Sequence, residues 1–441
     1  MKLSRLLQKI RSYFPVFRTL FRFNDPAVHI HPCDVLFFCQ DVNRGISLNN
    51  QAYSPLIDSV REDFEQRGLS CLSVAYCWSQ LTGKKGYGSP ISADRLFLIE
   101  NLKSSVYRKI QRLSRRLGHS KEYEPEGDYD LSVRFYRKII GQARPKLIIT
   151  MCTPPELCEA ARLSKVFHVE LLHGIGYTCL PYGCTALEER HLPQGILSLD
   201  EVSTNTLYPL QAKGIITKTI PHPFLRRFTP ENQNKLPREW KIERENNSSY
   251  EKEILVSLQW GYAGDDAPYN GILKNGLFFE ELAEVIKLTK NSIFWRFRFH
   301  PFQLRQRNKY ANLFSFMDNF VSNNQNCEWQ QSSTLPLPSV ASICSGHITM
   351  NSMSCYDVAY FGLPSLALCP SIQVGGFSEN FLADLVEKHY LTKQKPSVAF
   401  ILDWVKKVEK IDPLLDNLTD NTQWEDALKW LFRSDKLDFS A

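Results

Sequence analysis

From residue 34 onward, short apolar runs alternate with amphipathic stretches of helical period. Asp34-Val-Leu-Phe-Phe-Cys-Gln-Asp41 reads as a first strand, closed by a polar turn through Asn43, Arg44 and Gly45. A helix over 55–67 follows, stopped by Gly68, and a second strand runs from Leu69 to Tyr76. This is a strand-helix-strand unit. Further strands are predicted over Lys146–Met151, Val166–Leu172, Ile196–Leu199 and Ile215–Ile220, and Pro221-His222-Pro223 leaves the series.

A second series begins at Glu253–Gln259. The segment Ser292 to Gln303 alternates Phe294, Arg296 and Arg298 with bulky neighbours and reads as a strand ending at His300-Pro301. His347 to Leu368 reads as a strand, a Ser-rich turn, a helix stopped by Gly362 and Pro364, and another strand. The pattern predicts an α/β protein with two Rossmann-like domains facing across a cleft. The expected divisions are a basic segment at 1–25, a first domain at 26–231, a linker at 232–252, a second domain at 253–397, and helices at 398–441 that fold back across the first domain.

Length supports two domains, because 441 residues exceed what one core accommodates. Hydrophobic residues at 43% and charged residues at 23% are ordinary for a globular protein, and no apolar run reaches the ~20 residues of a membrane span. The twelve cysteines include no Cys-x-x-Cys pair and read as core thiols of a reducing, cytoplasmic protein. No metal site has the required spacing, so metal and cofactor are both expected to be absent. Nucleic-acid binding is disfavoured, since the mild net charge of +6 is not accompanied by an aromatic-interleaved patch. No Walker motif and no Gly-x-Gly-x-x-Gly occurs, which argues against an ATPase or a nicotinamide enzyme.

The amino terminus changes this picture. Residues 1–23 carry Lys2, Arg5, Lys9, Arg11, Arg18 and Arg22 without an acidic residue, set against an apolar stripe of Leu3, Leu7, Ile10, Phe14, Phe17 and Phe21. Two readings are open: peripheral attachment to the anionic inner face of a membrane, or docking on the second domain.

The candidate chemistry sits where predicted strands end. In open α/β sheets ligands bind beyond the carboxyl ends of strands. Ser352 and Ser354 fall where a first helical turn leaves amides unpaired, ready for a phosphate, and Asp357 one turn on could accept from a ribose. The alternative for the serines is an ordinary cap. His300 could donate to a phosphate or cap its own loop, and Gly261 in the Gln259-Trp260-Gly261-Tyr262 loop permits near contact. In the other half, His173 of His173-Gly174-Ile175-Gly176 could act as a general base or orient its loop; Gly174 and Gly176 let backbone approach a substrate. Asp41 is a second candidate base, or a turn cap.

The Arg-x-His-Pro strand end, the Ser-x-Ser turn with its Asp-x-Ala-x-x-Gly-x-Pro helix, and the His-Gly turn together resemble GT-B glycosyltransferases that build bacterial capsule, lipopolysaccharide or teichoic-acid polymers. The resemblance spans residues 34 to about 370. It implies that His300, Ser352 and Ser354 contact the phosphates of a nucleotide-activated donor and that Asp357 faces its ribose; Gln259 and Gly261 join them by their place at a strand end. It makes His173 the base toward a glycan or lipid-linked acceptor, with Asp41, at the tip of the first strand, the second candidate. The expectation is therefore a glycosyltransferase of surface-polysaccharide synthesis. The alternatives are a CDP-glycerol-type polyol-phosphate transferase and a non-catalytic glycan- or nucleotide-binding partner of an assembly complex.

Overall fold

A computed structural model of the chain describes residues 30–39, 43–75, 86–92, 126–178, 180, 184, 186–242, 250–263, 269–414, 418 and 421–432. Asp41 and the basic segment 1–25 lie outside the described residues. Among those that are described, no helix is long and apolar enough to cross a membrane.

Fifteen strands are described: β1 (Val35–Cys39), β2 (Ile46–Leu48), β3 (Gln51–Tyr53), β4 (Cys71–Ala75), β5 (Ile91–Ser92), β6 (Leu147–Thr150), β7 (Phe167–Leu171), β8 (Gly195–Ser198), β9 (Ile216–Thr219), β10 (Lys252–Ser257), β11 (Ile293–Arg298), β12 (Cys327–Glu328), β13 (Gly346–Thr349), β14 (Ser365–Ala367) and β15 (Leu391–Lys393). A first sheet has the order β5-β4-β1-β6-β7-β8-β9, and a second has β12-β11-β10-β13-β14-β15. Every pairing in both is parallel. This is the two-domain Rossmann-like α/β architecture of the GT-B type.

The strands form because their residues are apolar on both faces, and helices cover both. In β1, Val35, Phe37 and Cys39 enter one core with Ile57, Val60 and Phe64 of the helix Ile57–Gln66. Leu36 and Phe38 enter the opposite core with Tyr136, Ile140 and Leu157 of the helices Glu126–Ala143 and Pro155–Leu163. Both faces are dry, as a doubly wound sheet requires. In each sheet the strand order reverses beside the first strand, between β1 and β6 and between β10 and β13. Those are the two crevices in which such sheets receive ligands.

The expected linker at 232–252 differs from what the structure contains. Its described part, 232–242, is packed: Trp240 is buried between Phe224, Phe228 and Tyr53, and its indole N–H donates to Ser47 O at 2.7 Å. The Asn, Glu and Lys content of the segment concealed one large aromatic anchor. The helix Asn421–Phe432 lies on the first sheet, with Trp424 stacked on Phe64 and donating to Asp63, Arg67 bonded to Glu425 at 2.6 Å, and Trp430 against Phe167. The chain thus crosses between its halves twice.

Candidate functional site

The second sheet supplies one wall of the cleft. β10 leads into Leu258 and Gln259, whose side-chain oxygen accepts from Asn351 N at 2.6 Å and ties the two loops of the crevice together. Tyr262 donates to Asn351 Oδ1 at 3.2 Å and stacks on Tyr269 at 4.9 Å. Gly261 has φ 95°, so this turn accepts a glycine and strains any other residue. After β13, Ser352 Oγ accepts from Ser354 N at 3.1 Å and from Ser354 Oγ at 2.9 Å, which fixes the turn at the start of the helix Ser354–Ala359.

His300 lies two residues past β11 and caps the helix Pro301–Arg305. Its Nδ1 accepts from Phe302 N at 3.2 Å, while its own amide donates to Gln303 Oε1 at 3.2 Å. That reciprocal cap leaves the ring proton on Nε2. Burial, with Arg305 and Arg298 adding to it, lowers the imidazole to about 4, so His300 is a neutral single donor at pH 7. Trp260, half exposed, stands beside it with ring centres 6.3 Å apart. Asp357 lies one turn into its helix. Burial pushes its carboxyl up to about 7, and Arg298 opposes this. Arg298 donates to Leu335 O at 2.6 Å and to Ser332 O.

The first sheet supplies the facing wall. β7 runs into His173, which is exposed; the Tyr177 hydroxyl lies 2.8 Å from His173 Nδ1, and Cys152 Sγ lies 3.9 Å from that same nitrogen. Desolvation lowers the imidazole below its ordinary value of 6.5. Gly176 has φ 73° and donates its amide to Asp200 Oδ2 at 3.0 Å; a Cβ there would overlap the Tyr356 ring of the opposite wall. The two halves therefore touch where the His-Gly loop meets the Ser-rich helix. Tyr356 in turn donates to Asp384 Oδ1 at 2.5 Å.

Sequence reasoning missed the carboxylates of this wall. Glu170, two residues before the end of an otherwise apolar run, is 8% exposed, and burial raises it to about 7. Hydrogen bonds from Thr153 and from the Cys152 and Thr153 amides pull the other way. Asp200 is buried and raised by desolvation, with Asp384 contributing. A charged residue inside a strand buried on both faces was the available signal for Glu170. No cluster of His, Cys, Asp and Glu suited to a metal ion occurs among the described residues.

No protein-family model and no curated protein matches the sequence. Solved structures do match. One is a Listeria monocytogenes protein assigned as a UDP-N-acetylglucosamine 2-epimerase, with TM-score 0.52 and 8% identity over 91% of this chain and 98% of that one. Another is MnaA from S. aureus with UDP, with TM-score 0.50 and 10% identity over 90% of this chain and 96% of that one. These likenesses carry the fold and correct the functional expectation. The scaffold expected from glycosyltransferases is here matched by sugar-nucleotide epimerase structures. The transferase expectation accordingly does not stand, nor do its polyol-phosphate and non-catalytic alternatives.

Proposed function

We propose that this chain is a nucleotide-sugar epimerase, acting on a UDP-linked 2-acetamido sugar held in the cleft between its two sheets. The reading is supported by the fold and by two groups near the carboxyl end of β7 with opposed tendencies, His173 exposed at the cleft and Glu170 buried behind it. His173 is biased toward its neutral form and Glu170 toward its protonated form near pH 7. Inverting a carbon that bears hydrogen requires a proton taken from one face and one returned to the other, so a base and an acid must be available together.

The opposite wall would receive the nucleotide phosphates. Ser352, Ser354 and the amides of their turn, with His300 Nε2–H and the Gln259 to Gly261 loop, form its donor edge. Asp357 would face the ribose, and Gly174 and Gly176 keep the His173 loop low enough to meet the sugar. His300→Ala and the double change Ser352→Ala/Ser354→Ala are each expected to weaken UDP binding about tenfold or more, since hydrogen bonds to charged groups are worth roughly 1.5–3 kcal/mol. Titration calorimetry with UDP measures this, and parent-like affinity in both variants removes the assignment.

The activity is tested by incubating the protein with UDP-N-acetylglucosamine in D2O and recording proton NMR spectra. The expected result is a second diastereomer with deuterium at the inverted carbon. An unchanged substrate, across a panel of UDP-linked sugars, would sink the reading.

A further inference from the structure

Beneath the His173 loop, four polar side chains of the first sheet are joined end to end. β6 and β7 pair with Ile148 opposite His168 and Thr150 opposite Glu170. His168 and Glu170, two residues apart, leave the strand on the same face, toward the helix Pro155–Leu163. His168 Nε2 lies 2.9 Å from Thr150 Oγ1, Thr150 Oγ1 meets Thr153 Oγ1, and Thr153 bonds the Glu170 carboxyl through its hydroxyl and its amide. Both ends of the series are buried: His168 Nδ1 and Glu170 Oε1 have no hydrogen-bond partner.

Such a chain has a direction. An ionised carboxylate only accepts, so Thr153 must donate to Glu170, Thr150 to Thr153, and His168 to Thr150 through Nε2–H; this leaves His168 Nδ1 bare, the cheaper nitrogen to orphan. A protonated Glu170 donates instead. Thr153 then turns to Thr150, and the Thr150 hydroxyl passes to Val169 O, 3.3 Å away, while Nε2–H of His168 still has its acceptor.

We propose that His168, Thr150 and Thr153 are positioning residues for Glu170. They form a hydrogen-bond chain whose Thr150–Thr153 and Thr153–Glu170 links reverse donor direction with the ionisation of that carboxyl, and the chain so sets the pH at which it releases its proton. Cys158 of the helix Pro155–Leu163 and Cys184 interact with Glu170, Arg162 of that helix acts on His168, and Arg162 and Glu156 both act on Cys158. The two thiols are raised by burial, and Arg162 is bonded to Glu189 at 3.0 Å. His168 itself stays neutral, lowered to about 3 by burial. The chain therefore holds its fixed donor at one end and its titrating acceptor at the other.

The consequence for turnover rests on the epimerase reading, whereas the chain is tested without it. Glutamate carboxyls are labelled with 13C and histidine rings with 15N in the full-length protein, and the Glu170 signal is identified by its loss in Glu170→Gln. Thr153→Val should raise the ionisation pH of Glu170 by about one unit, a tenfold change in its ionisation constant, because the lost hydroxyl favoured the charged form. Thr153→Ser should restore the parent value. In the parent, the His168 Nε2–H signal should move through the same pH as Glu170 although the ring does not titrate there, and in Thr150→Val this coupling should vanish.

An unchanged Glu170 ionisation in Thr153→Val overturns the proposal. So does an equal shift in Thr153→Ser, or a His168 signal that ignores Glu170 in the parent. If Thr153→Val does not fold, Thr150→Val and the parent titration decide alone. Failure of the epimerase assay leaves these titrations intact, and failure of the titrations leaves the assay intact.

Discussion

Between pH 6.5 and pH 4.5 the protein is expected to lose about 4 kcal/mol of stability, at roughly 2–3 kcal/mol per pH unit. Three buried histidines and the partly buried His300 are the cause. Burial lowers His168, His222 and His347 to about 3 and His300 to about 4, each from an ordinary 6.5. His222 Nδ1 caps the amides of Phe224 and Leu225, and both ring nitrogens of His347 are engaged by Ser365 and Ser257. A depressed histidine binds its proton only in the unfolded chain, so its contribution to stability is lost as pH falls below 6.5.

Two carboxyls work against this. Glu170 and Asp357, raised to about 7, bind protons in the folded chain first, so stability from them rises as pH falls from 7 toward their ordinary values of 4.5 and 3.8. Four protons favouring the unfolded state less two favouring the folded state leave about two, at about 1.4 kcal/mol per proton and pH unit. Asp58 and Asp200 are also raised by burial, and they act in the same direction as Glu170 and Asp357. Urea unfolding at pH 7, 6 and 5 measures the slope, and His347→Gln should reduce it by about one proton. A slope of zero or of opposite sign would mean that the buried rings are compensated elsewhere.

His173→Ala should lower epimerisation by roughly 10²–10⁴-fold while UDP affinity stays near the parent value. The imidazole stands on the wall opposite the Ser352 turn, so its removal leaves the nucleotide contacts untouched. The pH profile carries the sharper signature. A base must be deprotonated, so rate falls at acid pH through the ionisation of His173, below its ordinary 6.5. An acid must be protonated, so rate falls at alkaline pH through Glu170 near 7. The parent profile is therefore a bell. His173→Ala should remove its acid limb and Glu170→Gln its alkaline limb. Full activity in His173→Ala would take the role from this residue, and a flat parent profile would take it from both.

The fold was legible because its strands are apolar on both faces and its helices end at glycines. β1, β4, β6, β7, β9 and β11 each lie within their predicted segments, and Gly362, at φ 65°, stops its helix as the pattern requires. The candidate residues of the second sheet were legible as neighbours for a related reason. Gln259, Gly261, His300, Ser352 and Ser354 all follow strand ends, and two parallel sheets gather such ends along one edge. What could not be read was depth. His168 and Glu170 belong to the motif that marked His173, but only the pairing of β7 with β6 turns them onto Thr150 and the 152–153 turn. The motifs also could not separate moving a sugar from inverting one, since the same two-sheet scaffold is matched by epimerase structures.

The second crossing of the chain bears on the order of folding. Phe64 and Phe167 of the first half are covered by Trp424 and Trp430, which leave the ribosome only after the entire second sheet has been made. The first sheet, synthesised first, therefore waits with part of its apolar surface uncovered for residues some 250 positions downstream of Phe167, and it is completed last. A ribosome stalled anywhere in the second half would display an unfinished first half to chaperones and proteases.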